Sequence, residues 1–361
     1  MGYRMMLHGH QALSKGGFAL AACVAASAVC GVPAAAQIAK DSEIAHVTIG
    51  ITNTATDVGF FIADKRGYFR DAGIAITMTP FASAARMIAP LGTGQLDVGG
   101  GTVAAGLYNA VERGIRIRVV ADKGSVREGY EFSTLLVRKD LVDSGRYRTL
   151  ADLKGLTIAT SAQGSGSESS LNEALKKGGL KFTDANVVYM GFPEMLAAYR
   201  NKGIDAGITN EPTITRTIRD GVAVRASAQT IYPGQQTAVV LFSESFASRR
   251  PLAQKFINAY LHAVRDYNGA LKDGRLAGPN AADIIAILTE YTAIKDPDTY
   301  ATMTAFAVNP DGEVNAATLK NDIEFFKARR LVDGKVTVDQ VIDHSFAAEA
   351  VRVLGPYRDK R

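Results

Sequence analysis

The chain has 361 residues, with 41 Lys and Arg against 36 Asp and Glu, a formal charge of +5, and 47% apolar residues. Basic residues are scattered between acids, so this weak positive balance excludes the concentrated cationic face of a nucleic-acid binder and fits an acidic ligand only loosely. The two cysteines, Cys23 and Cys30, both lie near the N-terminus, in the leader segment considered next.

Arg4 and Lys15 precede an apolar run from Phe18 to Val32 that ends at Ala34-Ala35-Ala36-Gln37, the pattern of a signal peptide. Cleavage after Ala36 leaves 325 residues, a formal charge of +3 and no cysteine. That excludes disulfides and cysteine-based metal sites and is ample for large cores. A rival reading is Leu20-Ala21-Ala22-Cys23, which has the form of a lipoprotein site with Cys23 acylated. Its apolar stretch begins only near Gly16, which is brief for an insertion segment. No later segment holds about 18 consecutive apolar residues, so the processed chain is expected to be soluble.

From His46, short β-branched runs alternate with amphipathic stretches: Val47 to Ile51 then Val58 to Ala72, Ile74 to Thr79 then Ala82 to Thr93, Val98 to Gly101 then Ala104 to Arg113. A second series begins after Phe132, with strands at Ser133 to Arg138, Leu156 to Thr160, Asn186 to Met190 and Ala206 to Thr209. Helices at Ser167 to Lys177, Pro193 to Asn201 and Thr213 to Asp220 separate them, and Gln236 to Ser243 is again strand-like. From Pro251 to Leu271 and Asn280 to Tyr291 the period is helical, and Ala316 to Leu354 adds two or three further helices. Two α/β series followed by a helical tail predict two lobes, each a mostly parallel sheet flanked by helices.

Ligands of open parallel sheets bind where loops and helix N-termini follow the strands, so polar residues there are candidates. Thr52, Asn53, Thr54 and Asp57 follow the first strand, and Gly101 and Thr102 the third, where Gly99-Gly100-Gly101 is either a close approach to ligand or a tight turn. Gln163, Gly164, Ser165, Gly166 and Ser167 lead into a helix and suit an anion, or else Ser165 is an ordinary helix cap. Asn210 and Glu211 follow a strand end. Phe192 is a pocket wall or core, and Tyr130 closes over a ligand near a hinge or is an exposed linker residue. His46, His262 and His344 are far apart with no zinc-type spacing, and no Gly-x-Ser-x-Gly elbow precedes a suitable acid and histidine. The lack of a nucleophile and base turns the reading towards binding without chemistry.

Gly59-Phe60-Phe61-Ile62-Ala63, then Gly67-Tyr68-Phe69-Arg70-Asp71-Ala72-Gly73-Ile74, Met87 to Thr93 and Gly94-Gln95-Leu96-Asp97-Val98 form an ordered set. Leu150 to Ala159, Gly203-Ile204-Asp205-Ala206 and Glu211-Pro212 complete it. The set resembles the substrate-binding proteins of ABC importers of the nitrate, sulfonate, taurine and thiamine-precursor type, over about residues 46 to 270. The resemblance implies a type II-like periplasmic-binding-protein fold crossing between lobes near Tyr130 and Tyr232 and closing on ligand by hinge motion. Residues 1–36 are then the signal peptide, 44–129 with 233–358 one lobe and its C-terminal helices, and 130–232 the other. Relatives often carry an aromatic residue two positions before the Glu-Pro pair; here it is Thr209, leaving Phe60, Phe192 or Tyr232 to supply that wall.

The expected function is that of a periplasmic receptor which hands a small organic anion, a sulfonate or carboxylate, to ABC permease subunits. It is expected to act as a monomer, with no cofactor, metal or nucleic acid. Arg86 and Arg127 lie near enough in sequence to reach the loops, whereas Asp57 and Glu211 would favour a cationic pyrimidine if both lined the cleft. An enzyme of the thiamine-pyrimidine synthase type is the alternative that the resemblance implies. That type uses a cysteine cluster and histidine with iron, and the processed chain keeps no cysteine. A sensor subunit on the same fold is the third reading.

Overall fold

The computed structural model describes residues 44–358, so the signal peptide and the Cys23 reading lie outside the described residues. The first α/β series gives strands β1 (Ala45–Ile51), β2 (Ile74–Pro80), β3 (Val98–Gly101) and β4 (Arg118–Ser125). The second gives β5 (Ser133–Arg138), β6 (Thr157–Thr160), β7 (Asn186–Tyr189), β8 (Ala206–Asn210) and β9 (Ala223–Arg225). Strand β10 (Gln236–Phe242) follows. The first sheet runs β2-β1-β3-β10-β4 and the second β7-β6-β8-β5-β9.

Each sheet is mixed rather than mostly parallel. β1 pairs parallel with β2 and β3, while β10 runs antiparallel to both β3 and β4. In the second sheet β6 pairs parallel with β7 and β8, and β5 runs antiparallel to β8 and β9. The cause is the chain path. It leaves the first sheet after β4, enters the second at β5, and returns after β9 to insert β10 between two strands already laid down.

Side-chain alternation accounts for the layers. Leu135 and Val137 of β5 face a cluster with Ile158, Leu171 and Leu175, while Leu136 between them faces Met195, Tyr199 and Ile214, so both sides of the second sheet are covered. On one side of the first sheet, Val47, Ile49 and Ile51 pack with helix Arg250–Gly269, which buries Phe256, Tyr260, Val264 and Tyr267 at helical spacing. The opposite side is covered by Leu319, Ile323 and Phe326 of helix Ala316–Ala328.

Two departures from the sequence reading have physical causes. The single helix expected over Val58 to Ala72 is broken into Val58–Lys65 and Tyr68–Asp71, because Gly67 adopts φ 78°, which ends a right-handed helix. β4 was not anticipated at all. Its Asp122-Lys123-Gly124-Ser125 carries no apolar alternation, yet everything from Val119 onward is buried, and Lys123 and Ser125 find their partners far away in the chain. Phe60 packs in the core against Phe256 and Tyr260, its ring tilted to both at centroid distances of 6.2 and 5.2 Å, and so forms no pocket wall.

Candidate functional site

The loops at the strand ends of both sheets meet in a crevice of about 340 Å³ counting its open mouth. From the first sheet come Thr52, Thr54 and Thr56 after β1, Gly101 and Thr102 at the end of β3, and Ser83 with Ala84. From the second come Ser161 after β6, Phe192 and Asn210. Phe132, Thr237 and Ala238 line it beside the two chain crossings. None of these side chains carries a charge.

The backbones approach closely. Ala105 N donates to Gly164 O across the crevice at 2.7 Å, and a Cβ on Gly164 would lie 2.8 Å from that of Ala105. At Gly101 a Cβ would meet Ala84 Cβ at 2.6 Å. Glycine is needed at Gly164 for the two walls to meet, and at Gly101 for β3 to pass Ala84 within the first wall.

The three threonines form a chain: Thr52 Oγ1 lies 3.2 Å from Thr54 Oγ1, which lies 2.9 Å from Thr56 Oγ1. Behind them Lys123 Nζ donates to Thr56 Oγ1 at 2.9 Å and pairs with Asp57 Oδ1 at 2.8 Å, both side chains being fully buried. Burial pulls the Lys123 amine below its ordinary range, and the neighbouring Asp57 opposes that shift. The other Asp57 oxygen accepts from Thr52 N at 3.2 Å and Thr54 N at 3.0 Å. Asp57 therefore holds the loop and the lysine and does not face the crevice.

Within the glycine-serine loop, one of the three hydroxyls lines the crevice. Ser161 Oγ lies 2.8 Å from Ser167 Oγ and lines the site. Ser165 is buried and donates to Ala162 O at 2.7 Å, so its hydrogen is spent; although it stands at the N-cap position of helix Gly166–Lys177, its side chain makes no cap bond. Ser167 Oγ accepts from Ser161 N at 3.0 Å. Gln163 points to solvent, and Gly166 packs against Thr102 and Gln235. Glu168 is buried below the loop, accepting from Gly164 N at 2.7 Å and Tyr189 Oη at 2.6 Å and pairing with Arg329 at 2.6 Å.

Glu211 also turns away from the crevice. It accepts from Thr215 N at 2.9 Å, Thr215 Oγ1 at 3.0 Å and Thr304 N at 3.3 Å, and burial pushes its carboxyl up. It borders an adjoining, less polar cavity of about 630 Å³ counting its open mouth, with Asn53, Leu196, Arg216 and Tyr300; Thr54 and Phe192 line both spaces. Tyr130 sits in a turn, its N donating to Arg127 O at 2.8 Å, outside the crevice lining. Tyr232 is held by Asp322 at 2.9 Å, and Arg86 and Arg127 are exposed away from the lining.

Of the residues singled out from sequence, the crevice thus gathers Thr52, Thr54, Gly101, Thr102, Phe192 and Asn210. It adds Thr56, Ser83, Phe132, Ser161 and Thr237. Thr56 and Ser161 belonged to loops already under suspicion and could have been found there. Lys123 lay on the unrecognised strand and left no signal. Among the described residues, no group of three or more His, Cys, Asp or Glu is placed to hold a metal, and no helix is long and apolar enough to cross a membrane.

The architecture is that of a periplasmic binding protein. The alkanesulfonate-binding protein SsuA of Xanthomonas axonopodis pv. citri, solved with MOPS bound, superposes with a TM-score of 0.64 at 21% identity, covering 84% of this chain and 99% of that one. The NMT1-like family model matches residues 40–275, and the chain belongs to that family. A protein of Brachyspira hyodysenteriae described as an ABC transporter periplasmic binding protein is 30% identical over 221 residues, 58% of this chain and 59% of its own length. An Escherichia coli K12 protein described as aliphatic sulfonates-binding is 26% identical over 215 residues, 56% of this chain and 61% of its own length. The matches thus span about three fifths of these relatives.

Proposed function

We propose that this protein is a periplasmic solute receptor that takes up a small organic anion, a sulfonate or carboxylate, between two lobes and delivers it to ABC permease subunits. The observation that carries this reading is the crevice between the two sheets, lined by hydroxyls and an amide with no carboxylate facing it. Donors without a competing negative charge suit an oxyanion, whereas a cationic pyrimidine would need Asp57 or Glu211, and both are spent elsewhere. The relatives described as sulfonate-binding and as ABC transporter binding proteins support the same reading.

The lobes are residues 44–129 with 233–358, and 130–232, since the chain passes between sheets once after β4 and once after β9. Two crossing segments make a hinge, and closing it surrounds the ligand with both walls.

The test is a thermal-shift series with butane-1-sulfonate, taurine, benzoate, nitrate and 4-aminopyrimidine. A ligand at a hundred times its Kd adds about 2.7 kcal/mol of stability, so the melting temperature must rise. One of the anions is expected to do this and to reduce the scattering radius. A rise with the pyrimidine alone would overturn the anion assignment, and no rise with any anion would count against the receptor reading.

A further inference from the structure

We propose that Lys123, though it lies behind the crevice wall and cannot touch a ligand, is the residue that makes the crevice select oxyanions, acting through the hydroxyl chain Thr56-Thr54-Thr52. This rests on the receptor reading and names how that site recognises charge.

The geometry leaves one hydroxyl hydrogen over. Three threonine hydroxyls carry three hydrogens, and the two links of 3.2 and 2.9 Å between them use two. Lys123 supplies its own hydrogen to Thr56 Oγ1, so it consumes none of theirs. The remaining hydrogen has two places to go: the crevice, or Asp57 Oδ2, which lies 3.5 Å from Thr52 Oγ1. A ligand oxygen at the usual separation of about 2.7 Å is the better acceptor. Donation from an ammonium to Thr56 also polarises the next O–H along the chain, strengthening each donor in turn. A neutral acceptor at the same place gains less from that polarisation, and a cation is disfavoured by it.

The surroundings are arranged around this lysine. Its stem passes Gly100, where a Cβ would lie 2.7 Å from Lys123 Cε and 2.6 Å from Phe60. The glycine run at the end of β3 therefore makes room for the lysine. Asp57 lies on the side away from the crevice lining, where it offsets the cost of burying the charge while leaving Thr56 between the ammonium and the ligand. Neither Arg86 nor Arg127 lines the crevice, whereas Lys123 is hydrogen-bonded directly to Thr56, which does.

Lys123 is a positioning residue, so its test needs a readout that a structural role would not move. Butane-1-sulfonate and its neutral counterpart butane-1-sulfonamide are titrated calorimetrically against the full chain. Wild type is expected to prefer the sulfonate. Thr56→Val, which keeps the shape and removes the hydroxyl, should weaken sulfonate binding roughly ten- to a hundredfold and Thr56→Ser should restore it, with the sulfonamide changed far less. Lys123→Met alone leaves Asp57 buried and unpaired, so the double variant Asp57→Asn with Lys123→Met is made to remove both charges. It should fold, by its melting transition, and lose most of the preference for the sulfonate. Sulfonate affinity unchanged in Thr56→Val, or a preference retained in the folded double variant, would overturn the relay and leave the receptor reading standing. A wild type that binds no anion would overturn both.

Discussion

Replacing Ser161 with Ala removes the hydroxyl that the second sheet's glycine-serine loop presents to the crevice. A hydrogen bond from a hydroxyl to a charged group contributes about 1.5–3 kcal/mol, so at about 1.4 kcal/mol per tenfold the affinity for an oxyanion should fall roughly ten- to a hundredfold. Folding should change by less than about 1 kcal/mol, because Ser161 N keeps its bond to Ser167 Oγ at 3.0 Å and the side chain is only partly buried. Ser165→Ala is the matched control with the opposite expectation. Its hydroxyl is buried and satisfies Ala162 O at 2.7 Å, so its loss strands a carbonyl and should cost about 1–2 kcal/mol of stability with affinity nearly unchanged. Calorimetric titration with the best anion of the thermal-shift series, together with urea melts, reads both quantities on both variants. Ser161→Ala binding as wild type does, with Ser165→Ala losing affinity at unchanged stability, would refute this assignment of the two hydroxyls.

Two further outcomes concern helix Ala316–Ala328 and the arginine that ends it. Asp322 is buried against Tyr232, and its carboxyl is pushed up to about 7 by burial, from 3.8. The folded protein therefore keeps that proton over a range where the unfolded chain has lost it. The contribution to stability is full below pH 3.8 and is lost as pH rises through about 7. Asp322→Asn should remove that decline, so its stability relative to wild type should rise between pH 4 and 8 by at most about 4 kcal/mol, measured by urea melts across the range. Arg329→Met leaves the buried Glu168 without its cation and should cost about 3 kcal/mol, the low end for a broken buried pair, because Tyr189 and Gly164 N still hold the carboxylate. A melt unchanged by Arg329→Met would show that pair to be idle.

Most of the framework was legible because it rests on local periodicity. The apolar alternation of Val47, Ile49 and Ile51 announces a strand, and the spacing of Phe256, Tyr260, Val264 and Tyr267 announces a helix, whatever surrounds them. The site was legible only down to its loops. A run such as Ser161-Ala162-Gln163-Gly164-Ser165-Gly166-Ser167 advertises donors, but which hydroxyl faces the ligand depends on Ala162 O accepting from Ser165 and on Ser165 Oγ lying within hydrogen-bond reach of Ser167. Asp57 looks like a ligand contact until Lys123 is seen beside it, and Lys123 looks like a turn residue until Gly100 and Thr56 are seen to house it. Such assignments depend on pairings between residues far apart in the chain, which a reading of local pattern does not supply.

The late arrival of β10 between β3 and β4 sets an order on folding. The second sheet is complete within residues 133–225, while the first lacks its connecting strand until Phe242 has been made. A chain emerging from its N-terminus can therefore finish the inserted sheet while β3 and β4 still expose facing edges. Closing them needs contacts between residues far apart in sequence, which are slow to form, and open strand edges invite association with other chains in the interval. The sheet begun first is the one finished last, and the time between is when the molecule is most prone to aggregate.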